Sequence, residues 1–319
     1  MDKPSIAILL AVYEPCGTWL EELLISLNAQ TYPALRLYVR DDASPSYSRD
    51  RLEALLKKYI TRFSYSLTQN ETNLGSNATF EALLKEASEP YIAFCDQDDV
   101  WNEDKLQRSM ELLRSSPLSP VLVCSNVSVI DQDGKQIAPT IERHRKRHTF
   151  LRGNGLAPQL LYRNFVIGCT LLMERERAVH YLPFPKVPVH DHYLAFRAAL
   201  DGAIDYVEDP LLRYRVYGGN QTGVMTKVKT KEDYRRERIE VFCERIQCLS
   251  SRASFEELSL ALAWGEARRN NFDRKKGAMR ALWRLRRVNP ATTLFELVAL
   301  RLPKPLFALA IRMIQKGIL

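Results

Sequence analysis

No stretch of this 319-residue sequence approaches the roughly 20 consecutive apolar residues that cross a bilayer. The apolar run within MDKPSIAILLAVYEP is too short for a secretory leader, and the early acid and Glu14-Pro15 argue against export. The six cysteines (Cys16, Cys95, Cys124, Cys169, Cys243, Cys248) show no CxxC pairing and no metal-finger spacing. Several lie inside apolar runs such as IAFC and VLVC, where a reduced thiol behaves as a small hydrophobe. That usage predicts a reducing compartment. Glycine is sparse, at 13 residues, and no GxxxxGK loop or other Gly-rich phosphate cradle is present. This speaks against a nucleotidyltransferase or phosphotransferase. No helix-turn-helix, finger or aromatic strand motif accompanies the pI of 9.1, so no nucleic acid partner is expected. There is no internal repeat and no low-complexity tract. What remains is a cytoplasmic protein, expected to be peripheral on the inner face of the cell membrane.

What is present is an ordinary globular composition, 46% hydrophobic and 26% charged, with an uneven charge. Residues 231–319 hold 19 Lys and Arg against 10 Asp and Glu, a net of +9, while the whole chain is +8. The N-terminal part is therefore close to neutral, and the C-terminal part is built to meet something anionic. A boundary is placed near residue 228, giving an α/β domain over 1–228 and a helical basic region over 229–319.

The first third alternates short apolar runs with amphipathic segments. Strands are predicted at 5–12, 35–40, 63–67 and 91–95, with helices at 17–29, 47–59 and 76–87 between them. That order, with fully apolar strands, implies a mostly parallel sheet covered by helices on both faces. Ligands of such sheets bind beyond the carboxyl ends of the strands. Further on, 120–130 reads as a strand, 131–134 as a hairpin turn, and the basic segment 142–152 as a loop. Residues 164–173 read as a strand, 191–201 as a helix, and 204–207 and 211–217 as short extended pieces. From 231 the pattern is helical, at 231–250, 254–270, 274–287, 291–302 and 305–316.

Acidic groups stand at three of these junctions. Asp96-Gln97-Asp98-Asp99 follows the strand YIAFC. Its crowded carboxylates repel one another unless a cation neutralises them, and hard oxygen donors suit Mg²⁺ or Mn²⁺. A solvated acidic turn is the plain alternative. Asp41-Asp42-Ala43-Ser44 ends the second strand, where a carboxylate can accept from a base or ribose, or simply form an Asx turn. His190-Asp191 opens a helix after Pro183, Pro185 and Pro188. There Asp191 is either a helix cap or a general base, and His190 either supports it or merely leads into the helix.

Taken in order, these groups resemble family 2 glycosyltransferases of the GT-A fold. The resemblance rests on AILLAVYEP, SLNAQTYP, VRDDASPS, NETNLGSNATFEALL, YIAFCDQDDVW, NFVIGCTLLM, VHDHYLA and YRVYGGNQTG, spanning Ile6 to about Gly223. It implies an inverting transfer of sugar from a nucleoside-diphosphate donor of dTDP or UDP type. DQDDVW with the late HD and YR…GN…G looks like bacterial rhamnosyltransferases of surface-polysaccharide assembly, which implies a lipid-linked oligosaccharide acceptor. The resemblance places Ala11, Val12, Tyr13 and Asp42 at the nucleobase, with Asp41 beside them. It places Asp96 at the donor ribose, Asp98 on the metal, Asp99 in support, and Asp191 as catalytic base. Trp101 falls near the acceptor or in core packing under the turn. Tyr214, Arg215 and Asn220 fall in a terminal loop that closes over the donor, where Arg215 meets diphosphate. Tyr217 stands where the subgroup commonly has His, which puts metal affinity in question. A catalytically silent glycan-binding scaffold, or a nucleic-acid-binding protein, is the competing reading; retention of Asp42, Asp96, Asp98 and Asp191 speaks against silence.

Two basic segments complete the reading. Arg143-His144-Arg145-Lys146-Arg147-His148 is a solvated run or a contact for diphosphate, and lacks zinc-ligand spacing. Residues 268–319 hold 13 Lys and Arg against Asp273 and Glu296 alone, interleaved with Met279, Leu282, Trp283 and Leu285. That pattern fits helices lying on an anionic leaflet. A bundle packed on the catalytic domain, or a homo-oligomer contact, is the alternative.

Overall fold

The computed structural model describes residues 3–145, 148–218 and 228–315. The chain divides into two compact units, Met1–Gly218 and Gly219–Leu319.

The first unit carries strands β1 (Ile6–Val12), β2 (Leu35–Asp41), β3 (Ser64–Gln69), β4 (Tyr91–Cys95), β5 (Val100–Trp101), β6 (Leu122–Ile130), β7 (Gln136–Ala138), β8 (Leu172–Glu174) and β9 (Ile204–Arg215). Its helices are α1 (Gly17–Asn28), α2 (Arg49–Tyr59), α3 (Ser76–Glu86), α4 (Lys105–Ser115), the short α5 (Ile141–His144), α6 (Ala157–Leu160) and α7 (Arg175–His180), and α8 (His190–Asp201). The strands form one sheet in the order β3-β2-β1-β4-β8-β6-β9-β5, with β7 paired to β6. β1, β2, β3 and β4 run parallel, joined by helices, with the apolar β1 and β4 inside the sheet and the more polar β3 at its edge. Within that block Val12 pairs with Asp41 and Leu10 with Cys95. This register brings the Asp41-Asp42 and Asp96–Asp99 turns out at the same sheet edge.

The mostly parallel sheet stands as expected, with antiparallel pairs added where β8 meets β4 and β6 and where β5 meets β9. Several finer expectations are corrected. Of the expected strand 164–173 only Leu172 and Met173 are paired in the sheet, as part of β8; Gly168–Thr170 is a 3-10 turn. The two short pieces at 204–207 and 211–217 are the single strand β9, which passes Pro210 through register shifts opposite Asn126. The segment 142–152 starts inside the one-turn helix α5. Helix α4 has no counterpart among the predicted elements. It buries Lys105, Leu106, Ser109 and Met110 along one side.

The second unit is helical: α9 (Lys231–Tyr234), a π-helical turn Arg235–Glu240, α10 (Val241–Ser250), α11 (Glu256–Phe272), α12 (Ala278–Arg284), α13 (Pro290–Ala299) and α14 (Lys304–Gln315). A Thr230–Asp233 capping box starts it. Its core combines Ile246, Trp264 and Phe307 with a buried polar cluster. There Glu296 accepts from Arg268 Nη2 at 2.7 Å and from the Tyr234 hydroxyl at 2.9 Å. Trp264 Nε1 donates to Thr293 Oγ1 at 2.9 Å.

Candidate functional site

The candidate site, called the crevice from the strand ends that ligands of such sheets approach, is assembled from the ends of β1, β2, β4 and β9 and the start of α8. At the end of β2 both aspartates are buried and engaged by their own chain. Asp41 accepts from the Ser44 hydroxyl at 2.5 Å and from Gln69 Nε2 at 2.7 Å. Asp42 accepts from Asn70 Nδ2 at 2.7 Å, and from the Leu74 and Gly75 amides at 2.8 and 2.9 Å. Gly75 holds φ +82° at that point, a conformation glycine adopts without penalty. Asp42 therefore gathers the loop 70–75 and sets the start of α3. Ala11 and Val12 lie at the end of β1, and Tyr13 beyond it is 44% exposed. Sequence reasoning passed over Gln97, which ties these parts together. Its Oε1 accepts from the Tyr13 amide at 2.8 Å and its Nε2 donates to the Tyr13 carbonyl at 2.9 Å. The only sequence signal was its place inside DQDD.

The acidic turn is the most strained electrostatic feature of the unit. Asp99 is wholly buried and accepts from the Arg215 amide at 2.9 Å. Ligand atoms of Asp96, Asp99 and Cys169 lie within 4.8 Å of one another. Burial, and then the charges of Asp98 and Asp191, push Asp96 up to about 7. Burial likewise raises Asp98, against a hydrogen bond from the Tyr217 hydroxyl that favours its charged form. Asp99 is raised well above the usual range by burial and by its acidic neighbours. Burial, and for Asp96 and Asp99 the repulsion of neighbouring carboxylates, raises these groups, and a bound cation would offset both. The carboxylate oxygens of Asp96 and Asp99 suit a hard divalent ion, the Cys169 sulfur does not, and Asp98 is their neighbour in the turn without belonging to that close group.

One cation stands against the cluster from inside. Lys105 is buried, its Nζ 3.4 Å from the centre of the Trp101 ring, and burial lowers it to about 8. The charges of Cys169, Cys95 and Asp99 work the other way and favour its ammonium form. Sequence reasoning missed it; a lysine on the apolar side of α4 was the available sign. Trp101, expected near the acceptor or in the core, is 3% exposed and belongs to the core. Its amide donates to Ser26 Oγ at 3.0 Å.

Asp191 sits in the first turn of α8, partly exposed to the crevice. Its Oδ1 accepts from the His192 amide at 2.6 Å, and the Gly168 amide and Asn164 side chain also hydrogen-bond to it. Burial outweighs these bonds and lifts Asp191 to about 6. The motif NFVIGCT thus does two jobs. Asn164 fixes the carboxylate, and a Cβ on Gly168 would come within 3.2 Å of Asp191 Cβ. His190 points away into an aromatic box, with ring centres 4.3 Å from Phe80 and 5.0 Å from Phe94. Both its ring nitrogens lack partners, and burial lowers it to about 3.

Arg215 is corrected. Expected at a diphosphate, its side chain is 1% exposed and ion-pairs with Glu22 at 2.5 Å. Its Nε donates to the Asp98 carbonyl at 2.8 Å, and Nη1 to the carbonyls of Asp131 and Gln132, both at 3.2 Å. A guanidinium committed this way braces the acidic turn against the hairpin. Tyr217 packs on Trp19 at 4.7 Å between ring centres, and Tyr214 lies 5.7 Å from the Arg145 guanidinium. Asn220 and the basic pair Lys146-Arg147 lie outside the described residues.

The Glycosyl transferase family 2 model matches residues 8–176. A curated relative, an uncharacterized glycosyltransferase of Nostoc, is 25% identical over 68% of this chain and 66% of its own length. The UDP-Glc:alpha-D-GlcNAc-diphosphoundecaprenol beta-1,3-glucosyltransferase of Escherichia coli is 26% identical over 65% of this chain and 74% of its length. A dTDP-rhamnosyl transferase of Shigella flexneri is 23% identical over 67% and 73%. Alignments to the relatives thus leave a quarter to a third of their lengths uncovered. Among solved structures, Staphylococcus aureus TarS 1-349 with UDP-GlcNAc has a TM-score of 0.60 at 18% identity, covering 98% of this chain and 92% of that one. The Pyrobaculum calidifontis mannosyltransferase with GDP-Man and Mn²⁺ has a TM-score of 0.57 at 15% identity, covering 99% and 87%. These structures share the GT-A fold. The chain belongs to glycosyl transferase family 2.

Proposed function

We propose that this family 2 member is a metal-dependent, inverting glycosyltransferase that moves a sugar from a nucleoside diphosphate to a hydroxyl of a lipid-linked surface glycan. The observation that carries the reading is the pairing of two groups in one crevice. Asp191 is held by Asn164 and Gly168 and lifted to about 6, within electrostatic reach of Asp96 in the crowded acidic turn.

Asp191 accepts the proton of the acceptor hydroxyl as its oxygen attacks the anomeric carbon. The bond from that carbon to the diphosphate oxygen breaks on the opposite face, so one displacement inverts the centre. A base lifted to about 6 remains ionised near neutral pH and is strong enough to share a proton in the transition state. Asp98, with Asp96 and Asp99 behind it, would hold Mg²⁺ or Mn²⁺. Such an ion supplies Lewis-acid neutralisation of the charge on the departing diphosphate. Tyr13, exposed at the end of β1, offers a face for the nucleobase, and Gln97 keeps that strand end fixed to the acidic turn. Asp41 and Asp42 shape the wall of this pocket through the loops they organise.

The E. coli and Shigella relatives support a lipid-linked acceptor and a deoxythymidine-diphosphate rhamnose donor respectively. A site at the inner leaflet follows from such an acceptor. The test is a melting panel of nucleoside diphosphates and nucleotide sugars, with and without Mn²⁺ or Mg²⁺, since ligands of the native state raise the melting temperature by mass action. A cation-dependent shift with dTDP or UDP, lost in Asp98→Ala, is expected. No shift with any nucleotide would sink the reading.

A further inference from the structure

Fifteen large hydrophobic side chains are exposed among the described residues, and nine of them belong to the second unit. Six sit on its last three helices: Met279, Trp283, Leu294, Val298, Leu306 and Leu309. α13 is the sharpest case. One side packs inward through Thr293, Glu296 and Ala299, while the opposite side leaves Leu294 59% and Val298 55% exposed. Its only charge, Glu296, is wholly buried in the ion pair with Arg268. A helix apolar on both sides needs a second covering. In α14, Phe307 and Ile311 point inward, while Leu306 and Leu309 are 49% and 54% exposed.

The surrounding charge identifies the cover. Over 268–319 the acids are Asp273 and Glu296 alone, and each is paired, Asp273 with Arg235 at 2.7 Å. Arg280, Arg284, Lys304 and Arg312 are exposed and ion-pair with no acid among the described residues. Two copies of such a face would bring like charges together. A nucleic acid would leave the leucines without an apolar partner. An anionic bilayer surface satisfies both, with an apolar boundary beneath a negative headgroup layer. No helix among the described residues is long and apolar enough to cross a membrane.

We infer that the outward faces of α13 and α14, flanked by the basic face of α12, dock on an anionic lipid leaflet. Leu294, Val298, Leu306 and Leu309 enter the acyl boundary, and Arg280, Arg284 and Arg312 meet headgroup phosphates. The inference deepens the lipid-linked acceptor reading and rests on it for its purpose. The surface would hold the chain at the leaflet to which such acceptors are confined.

The test is flotation of the full chain with vesicles of phosphatidylcholine alone or mixed with phosphatidylglycerol, at low and high salt, without donor or acceptor. Flotation with the mixed vesicles only, weakened by salt, is expected. Arg280→Gln with Arg284→Gln should weaken it about 25-fold, from roughly 1 kcal/mol per basic residue at fivefold each. Leu306→Ser with Leu309→Ser should weaken it at least about tenfold, since each buried CH₂ contributes about 0.8 kcal/mol. These four side chains are exposed, so the variants should keep the parent melting temperature and its nucleotide-dependent shift. That shift separates failure of the docking surface from failure of the catalytic reading. The inference is overturned if the parent ignores mixed vesicles. It is also overturned if the leucine pair leaves flotation unchanged, which would mean adsorption by charge alone. A dimer in ultracentrifugation that the leucine pair dissolves, with no vesicle binding, would make the face a subunit contact instead.

Discussion

Glu296 and Asp99 are both wholly buried carboxylates, yet they live in opposite surroundings. Glu296, in the second unit, receives a forked guanidinium from Arg268 and a hydroxyl from Tyr234. Asp99, in the first, accepts from one backbone amide and from the Cys169 thiol, and faces the carboxylates of Asp96 and Asp98. In the second unit charge is buried already matched. In the first it is buried in excess, and the carboxylates are driven towards their neutral forms. Matched burial keeps a fold together once formed. Unmatched burial stores a demand for something the protein does not itself contain, which is the signature of a site. The two units thus separate a structural use of buried charge from a chemical one.

The largest break in that contrast should come at Asp191. Replacing it with Asn keeps the hydrogen bond from the His192 amide but removes the proton acceptor. Transfer should fall about 10²- to 10⁴-fold, the range for loss of a general base, with the nucleotide-dependent melting shift intact. The parent's kcat/KM should decline below about pH 6, where Asp191 takes up a proton. Near-native transfer by the Asn variant would remove Asp191 from the mechanism. Asn164→Ala should move that acid limb upward, because a bond that favours the charged carboxylate is lost.

In the second unit the expectation is a loss of stability with no chemical readout. Arg268→Met leaves Glu296 buried without its partner, and should destabilise by about 3–5 kcal/mol. Adding Glu296→Leu should recover most of that loss, since an apolar pair of similar volume can replace a buried ion pair. Urea unfolding of the singles and the double would measure the coupling. If Arg268→Met were as stable as the parent, the cluster would not be the structural element described here.

Much of this was legible in the chain, and the limits are physical. Strands β1 and β4 were readable because they are buried almost throughout and so are apolar, and β2 because its Leu35, Leu37, Tyr38 and Val39 are buried, with turn formers bounding all three. The carboxylate clusters were readable because they follow those strands directly. Lys105 was not, because only the packing of α4 shows its side chain turned inward beside Trp101 instead of out to solvent. Gln97 was not, because its partner Tyr13 lies 84 positions away. Arg215 was misread for the same reason. An arginine beside a ligand-closing loop suggests phosphate, but the partner that claims it is Glu22, 193 positions away. The 3-10 turn at Gly168–Thr170 hid inside an apolar run that reads as strand, because packing against Asp191 overrides local preference.

Acid–base linkage sharpens the contrast further. Asp96 and Asp191 are raised from 3.8 to about 7 and about 6, so the folded state holds their protons more tightly than the unfolded chain. Without a cation, their contribution to stability falls as pH rises from about 4 to about 7. His190, lowered from 6.5 to about 3, works the other way: the unfolded chain binds the extra proton, so stability is lost as pH falls below 6.5. Each group contributes at most about 1.4 kcal/mol per pH unit, and less where, as at Asp96 and Asp191, the side chain is partly exposed. Asp96→Asn should therefore expose the His190 slope, and melting in EDTA should become steeper on the acid side than in the parent. An unchanged profile would mean that Asp96 titrates normally.

The smallest expected effect is the most discriminating. Asp98→Asn removes one like charge from the acidic turn, while its amide oxygen can still accept from the Tyr217 hydroxyl that now bonds to Asp98. If the turn is unmatched charge awaiting a cation, the variant without metal should melt slightly higher than the parent, by about 0.5–1 kcal/mol of stability. With Mn²⁺ and nucleoside diphosphate present, the order should reverse, because only the parent gains the bound complex. A variant less stable in both conditions would mean that Asp98 serves the fold as Glu296 does. The acidic turn would then be matched by partners within the chain, and the distinction between the two units would fail at the residue on which metal binding depends.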